Sequence, residues 1–243
     1  MHYLFNAIAR KIMINTYNES SLHRELKEKY AALCRGQTEV EYGGFICDVI
    51  NDEVIYEIQT SNISKLRPKI EKLSQTRKIW IVFPVAEITE IVIIDKNGKP
   101  ISKRKSPKKE NIFCIYRQIT GILDLFGLEN FGIKVLFINQ QRIRQKTEEA
   151  VQLANKSRRH KREWIPLDKK LAAINNEIEI TSKTDLINLV KNEIAQKEEF
   201  CLKDLKQTAI KENASLVIWC LKKLNAINQT KVAGKSKYYS FIL

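Results

Sequence analysis

The chain has 243 residues, 44% of them hydrophobic and 29% charged, with 8 Gly and 5 Pro, a globular composition that excludes fibrous and disordered classes and whose length suits two modest domains. No long uncharged apolar run offers a membrane span, and the N-terminus has no basic segment ahead of an apolar stretch, so a cytoplasmic protein without membrane attachment is expected. Lys and Arg number 42 against 28 Asp and Glu, a formal charge of +14 that favours a polyanionic partner, nucleic acid before a membrane surface.

Ser20 and Ser21 can cap a helix running to residue 33, with Leu22, Leu26, Tyr30 and Leu33 as its buried stripe and Glu25 at the stripe's edge. Strands are expected over 38–42, 45–50 and 54–59, then an amphipathic helix over 63–74 with Leu66, Ile70 and Leu73 inward. Residues 78–85 are almost wholly apolar, which suits a strand covered on both faces, and 88–94 reads as a further strand ending at the turn Asp95-Lys96-Asn97-Gly98. The polar stretch 102–109 reads as an exposed loop, 112–126 as a helix and 133–138 as a final buried strand. Strand and helix alternating around a three-strand meander predicts an α/β fold, a mixed central sheet with flanking helices, over residues 1–145.

From 146 to 180 the composition shifts to a basic connector, partly helical, dense in charge at Arg158, Arg159, Lys161 and Arg162. Residues 181–243 have their own rhythm. Thr184 can cap a helix with Leu186, Leu189, Val190 and Ile194 inward, a short helix follows over 202–211, and a third over 214–224 buries Leu216, Trp219, Cys220 and Leu224. Two short strands around Ala233-Gly234-Lys235-Ser236 complete the pattern of a smaller winged-helix domain. The five cysteines never form a CxxC pair and read as free thiols of a reducing compartment, and three scattered histidines argue against zinc.

The chemistry concentrates in 43–60. Asp48 lies inside one β-branched run and Glu57 inside the next, with Gln59 two residues on. Burying a carboxylate among Ile and Val costs several kcal/mol unless it is paired or binds a metal. A turn at Asn51-Asp52 sets Asp48 opposite Ile55 and diagonal to Glu57, whereas a turn at Asp52-Glu53 sets it directly opposite Glu57. Either register puts Asp48, Glu57 and Gln59 on one face. With Cβ atoms roughly 5–8 Å apart, the two acids can share a hard cation whose oxygen ligands lie about 2.0–2.1 Å away. Glu39 and Glu41 are weaker candidates on the preceding strand, and Asp52 and Glu53 belong to the turn.

Asp48 followed by Glu57-Ile58-Gln59, after a helix carrying Glu25, resembles the PD-(D/E)XK nuclease superfamily, in which a helix leads into a three-strand meander. The resemblance covers residues 20–85. It implies Asp48 and Glu57 as ligands of Mg²⁺ or Mn²⁺, with the Ile58 carbonyl and Glu25 as further ligands, and Asp48, Glu57, Gln59 and Glu25 as catalytic residues. Cys47 replaces the family's Pro and Gln59 its Lys. Gln can hold a water but brings no charge, which Lys65 or Arg67 could supply. The implied activity is metal-dependent endonucleolytic hydrolysis of DNA, duplex favoured, by a protein that pairs with itself or a partner subunit for double-strand cleavage. The alternative is a non-catalytic DNA-binding regulator or assembly factor on a degenerate nuclease fold. Candidate nucleic-acid contacts are Lys103, Arg104, Lys105, Arg158, Arg159, Lys161 and Arg162, with Lys222 and Lys223 on the third helix of the C-terminal unit and Lys231, Lys235 and Lys237 on its hairpin.

Overall fold

The computed structural model describes residues 19–153, 161–194 and 197–242. Helix α1 (Ser21–Cys34) starts where the Ser20 side chain accepts from the His23 amide, and it ends at Arg35 in the left-handed conformation. Three strands follow as a meander: β1 (Gln37–Tyr42), β2 (Phe45–Ile50) and β3 (Val54–Ile58). Gly43 and Gly44 both hold positive φ between Tyr42 and Phe45, as a two-residue hairpin turn with the strands' own twist requires. A 3-10 turn (Ile63–Leu66) runs into helix α2 (Arg67–Leu73), and the chain crosses over into β4 (Lys78–Ile94), parallel to β3.

β4 is one strand where the sequence suggested two. Its register shifts between Ala86 and Ile88, a bulge at Glu87. The first half is buried on both faces and the second is half-buried, hence the change in pattern. The stretch expected as a loop is partly strand β5 (Pro100–Lys105), exposed throughout and paired with β4. The helix expected over 112–126 is instead a 3-10 turn (Ile112–Cys114), a single turn α3 (Ile115–Gln118) and another 3-10 turn (Leu123–Leu125). Its apolar residues, Phe113, Ile115, Tyr116, Ile119, Ile122, Leu123, Leu125 and Phe126, join the core that runs between the sheet and the C-terminal unit, while Arg117 and Asp124 face outward.

β6 (Phe131–Gln152) runs parallel to β4, and β7 (Lys161–Ile180) returns antiparallel to β6. Among the described residues, the segment expected as a partly helical connector is therefore largely strand, the end of β6 and β7, continuous with the main sheet. Beyond Ile138 the hairpin loses its apolar alternation, which left no period to read. The result is an α/β architecture: a seven-stranded mixed sheet in the order β1-β2-β3-β4-β6-β7, with β5 on β4, flanked by helices. α1 packs on one face, where Leu22, Leu26 and Tyr30 meet Val49, Tyr56, Ile58, Trp80, Val82 and Leu136. Gly132 is paired with Trp80, and a Cβ there would run into the indole. α2 and the 112–125 turns cover the other face, over Ile55, Ile79, Ile81, Ile133 and Val135.

The C-terminal unit contains α4 (Lys183–Glu193), β8 (Phe200–Cys201), α5 (Leu202–Lys206), a 3-10 turn (Lys211–Asn213), α6 (Ala214–Lys223), β9 (Ile227–Ala233) and β10 (Ser236–Phe241). Its sheet has the order β8-β10-β9. Ser182, not Thr184, caps α4, because Asp185 at the third position completes a capping box with it. On α6 the buried residues are Ala214, Val217, Ile218, Cys220 and Leu221, so Trp219, expected inside, is 42% exposed. The unit shares its core with the large sheet: Leu186, Val190 and Phe200 join the α2-side cluster, and the Tyr116 hydroxyl donates to the Leu186 carbonyl at 2.5 Å. Among the described residues no helix is long and apolar enough to cross a membrane.

Candidate active site

β2 and β3 are laddered over two residue pairs, Val49 with Tyr56 and Ile50 with Ile55. Their turn is Asp52-Glu53: the Asn51 amide donates to the Val54 carbonyl at 3.0 Å, and Asn51 Oδ1 accepts from the Glu53 and Val54 amides. Of the two registers open in the sequence, this one sets Asp48 opposite Glu57. There the carboxylates replace the ladder. The Asp48 amide donates to Glu57 Oε1 at 3.2 Å, and the Ile58 amide donates to Asp48 Oδ2 at 2.8 Å. β2 stays paired with β1, and β3 with β4, so the opening lies between the two halves of the sheet.

Two cations close on this opening from opposite sides. Lys69, on the inward stripe of α2 with Leu66, Ile70 and Leu73, places Nζ 2.5 Å from Glu57 Oε1 and donates to the Ile46 carbonyl at 2.6 Å. Both side chains of this pair are almost fully buried. His23, on α1, has Nε2 2.9 Å from the Ile58 carbonyl and 3.5 Å from Asp48 Oδ2, while Nδ1 meets Glu19. A carbonyl and an ionised carboxylate can only accept, so these partners favour the imidazolium form of His23, in which both ring nitrogens donate. Glu19 also holds Lys27 at 2.9 Å, and Lys27 reaches Glu39 at 2.7 Å.

The electrostatics follow from burial and proximity. Burial, then the charge of Asp48, push the Glu57 carboxyl up to about 7 despite Lys69. Burial also raises Asp48, but the His23 hydrogen bond and charge, the Ile58 amide and Lys69 outweigh it and hold Asp48 below the usual carboxylate range. His23 loses basicity to burial and regains more from Asp48 and Glu19, so it lies above the ordinary imidazole value. Near neutral pH Glu57 thus stands between its protonated and ionised forms, set there by burial and the Asp48 charge against Lys69.

This donor set suits a hard cation: two carboxylates and one backbone carbonyl, all oxygen. Among the described residues no three His, Cys, Asp or Glu side chains converge as a ready metal cluster. A Mg²⁺ held by two acids would keep several of its waters, as that ion commonly does.

Asp48 and Glu57 are brought together, and Ile58 lies between them and His23. Gln59 directly follows β3, half-buried, its backbone amide donating to the Val82 carbonyl at 2.9 Å. Glu25 is not brought to the cleft. Two residues from His23 it points about 200° around the helix from it, and among the described residues no bond or ion pair ties it to Asp48 or Glu57. Lys65 is exposed, and Arg67 is engaged by Glu71 at 2.9 Å and Asp124 at 2.5 Å, so neither supplies the missing charge. Lys69 and His23 went unread in the sequence. A Lys at i+3 from Leu66 inside an apolar stripe, and a His directly after Leu22, were the available signals.

The basic candidates lie elsewhere. Lys103, Arg104 and Lys105 are on β5, with Lys103 paired to Glu90 at 3.0 Å; Lys161 and Arg162 open β7; Arg158 and Arg159 lie outside the described residues. On the C-terminal unit Lys222 lies over Tyr239, Lys223 over Trp219, and Lys231 is paired with Glu199, while Lys235 and Lys237 are exposed at the hairpin.

A family model described as "Domain of unknown function (DUF8091)" matches residues 20–181. A protein of Treponema pallidum (strain Nichols) described as "Uncharacterized protein" is 30% identical over 228 residues, covering 93% of this chain and 86% of that protein. No solved structure matches. The family match ends where the C-terminal unit begins and takes in His23, Asp48, Glu57 and Lys69, and the chain belongs to the DUF8091 family.

Proposed function

We propose that this protein is a metal-dependent endonuclease that hydrolyses phosphodiester bonds of DNA, with Asp48, Glu57 and the Ile58 carbonyl holding Mg²⁺ or Mn²⁺. The observation that carries the reading is the opening between β2 and β3, where two carboxylates stand in place of a ladder and burial beside the Asp48 charge pushes the Glu57 carboxyl up to about 7. A divalent ion bound there would offset phosphate charge and lower the pKa of a bound water. Lys69 takes the part of the lysine that the resemblance lacks at position 59: its ammonium reaches the same Glu57 from α2. Gln59, directly after β3, accepts a hydrogen bond from water and orients it. His23 holds its Nε2 proton beside Asp48 and the Ile58 carbonyl.

The finer fold reading belongs to the same proposal. A helix and a meander leading into β4 parallel to β3 resemble the restriction-endonuclease arrangement. The C-terminal helices with their β8-β10-β9 sheet resemble a winged helix, which would position the duplex through Lys222, Lys223, Lys235 and Lys237. A homodimer or a partner subunit would supply the second cut.

A specific observation favours the non-catalytic reading. Lys69 and His23 already neutralise the two acids, as a structural lock on a DNA-binding regulator would. Incubation with supercoiled plasmid in Mg²⁺, Mn²⁺ or EDTA separates the two. The endonuclease nicks or linearises plasmid only with metal, and Asp48→Ala or Glu57→Ala abolishes cutting while binding persists. Cutting by both variants at the parent rate would remove the proposed site, and no cutting by the parent with either metal favours the regulator.

A further inference from the structure

Past Ala86 and Ile138 the main sheet runs beyond most of its helical cover, though the start of α1 still reaches it where the Ser21 amide and hydroxyl donate to the Asp168 carboxylate at 2.9 and 2.6 Å. The second half of β4, β5, the second half of β6 and the first half of β7 continue as an extension whose residues are mostly half-buried or exposed. Register places Arg104 beside Ile91, Ile91 beside Arg142, and Arg142 beside Lys169, a row across four strands on one face. Arg144 follows Arg142 by two residues and shares that face. Its guanidinium lies over the Trp164 ring at 3.6 Å.

The two faces of this extension are charged differently. On one, Glu90 answers Lys103 at 3.0 Å and Gln141 at 3.0 Å. On the other, Arg104, Arg142, Arg144 and Arg162 crowd together, and among the described residues none of them has a carboxylate partner. Arg142 Nε is buried with no hydrogen-bond partner. An orphaned guanidinium donor among like charges is costly unless something outside supplies acceptors and negative charge. The crowding is visible in the chemistry of the groups: burial, then Arg104, Arg142 and Arg162, hold Arg144 below its ordinary value, and burial, then Arg142, do the same to Lys169, with Glu110 opposing.

We infer that Arg104, Arg142, Arg144 and Arg162 form a second binding site, separate from the carboxylate cleft, that takes the phosphates of a nucleic-acid backbone. The row spans strands about 4.8 Å apart and steps about 6.7 Å along β6, a spacing that meets several phosphates of one strand rather than one isolated anion. A two-stranded ribbon such as β6–β7 also fits a duplex groove. A lipid surface would call for an apolar face beside the cations, whereas here Ile91 is buried beneath them. The inference does not depend on whether the cleft cuts.

The test uses the full chain in EDTA, so that cleavage cannot intervene, with a labelled DNA duplex and a salt titration. Arg142→Gln/Arg144→Gln binds about tenfold more weakly, and its salt slope falls by about 1 for each arginine removed. Arg104→Gln/Arg162→Gln, at exposed positions, gives the same loss of slope with an unchanged melting curve, which separates binding from folding. Because the binding titration is run in EDTA and cutting is scored separately on plasmid with metal, a failed nuclease reading and a failed second site are told apart. Parent-like affinity and slope in both arginine variants would overturn the inference. So would capture by anionic vesicles in preference to duplex, or displacement of the duplex by inorganic phosphate at matched ionic strength.

Discussion

Lys69→Met is the sharpest probe of the cleft, because its effect must depend on pH in a calculable way. Met keeps the length of the Lys stem but removes the ammonium 2.5 Å from Glu57 Oε1 and the bond to the Ile46 carbonyl. In the parent protein Glu57 titrates at about 7, raised from an ordinary 4.5. Its folded pKa lies above its unfolded one, so its share of stability is full below about 4.5 and is lost as pH rises to 7, about 3 kcal/mol in all. Below 7, Glu57 is protonated in parent and variant alike, and the substitution removes only hydrogen bonds, about 1–2 kcal/mol. Above 7 the parent ionises against Lys69 while the variant must keep its proton, and the gap widens by about 1.4 kcal/mol per pH unit. Urea unfolding in EDTA at about pH 6 and about pH 8.5 should therefore give a destabilisation roughly 2 kcal/mol larger at the higher pH. Glu57→Gln/Lys69→Met removes both charges and should recover most of the loss. A penalty that is constant with pH, or largest in acid, would refute the coupling between these two groups.

On the nuclease reading, Lys69→Gln loses metal-dependent cutting and Gln59→Lys/Lys69→Gln regains part of it, since a lysine at 59 offers the same charge from the end of β3; plasmid assays of the two variants decide. His23 has its folded pKa above the ordinary imidazole value, so its share of stability is full below that value and is lost as pH rises through the raised one. His23→Gln should flatten this limb of the stability profile, and an NMR titration of the ring gives the pKa directly. Gly132→Ala drives a methyl into Trp80 and should lower stability by about 1–3 kcal/mol, read as a drop in Tm with a shifted tryptophan emission.

What the sequence made legible follows how much a neighbour was needed to decide it. Helix α1 carries its own cap in Ser20 and its own stripe, and β1 to β3 carry a Gly43-Gly44 turn and β-branched runs, so these were readable locally. The register of β2 on β3 was not, because Asn51-Asp52-Glu53 can turn in two places and only the Asn51 side chain, bonding forward to Glu53 and Val54, selects one. Asp48 and Glu57 stood out as acids in apolar strands. Lys69 did not, because a lysine in an apolar stripe usually sends its head to water, and here it turns inward to a buried acid. Glu25 entered as the helix acid that the resemblance implies, and helix rotation carries it away from the cleft while bringing in His23, which was not read. The start of β6 was read as a strand, but its continuation past Ile138 and β7 were lost for a simpler reason: where a strand is little covered, nothing enforces alternation.

The net charge of +14 says less than its placement. Near the cleft and on the helical faces the cations are answered one by one: Lys27 by Glu19 and Glu39, Lys69 by Glu57, Arg67 by Glu71 and Asp124, Lys134 by Glu177 and Glu179. These charges fold the protein and have little left to offer a ligand. Along the extension the balance changes, for Arg104, Arg142, Arg144 and Arg162 gather where no described acid meets them, and one guanidinium nitrogen is buried without an acceptor. A solvated basic face would spread such charges apart to lower their repulsion. Holding them together beside Trp164 runs against folding stability, and a polyanion is the partner that makes the arrangement favourable.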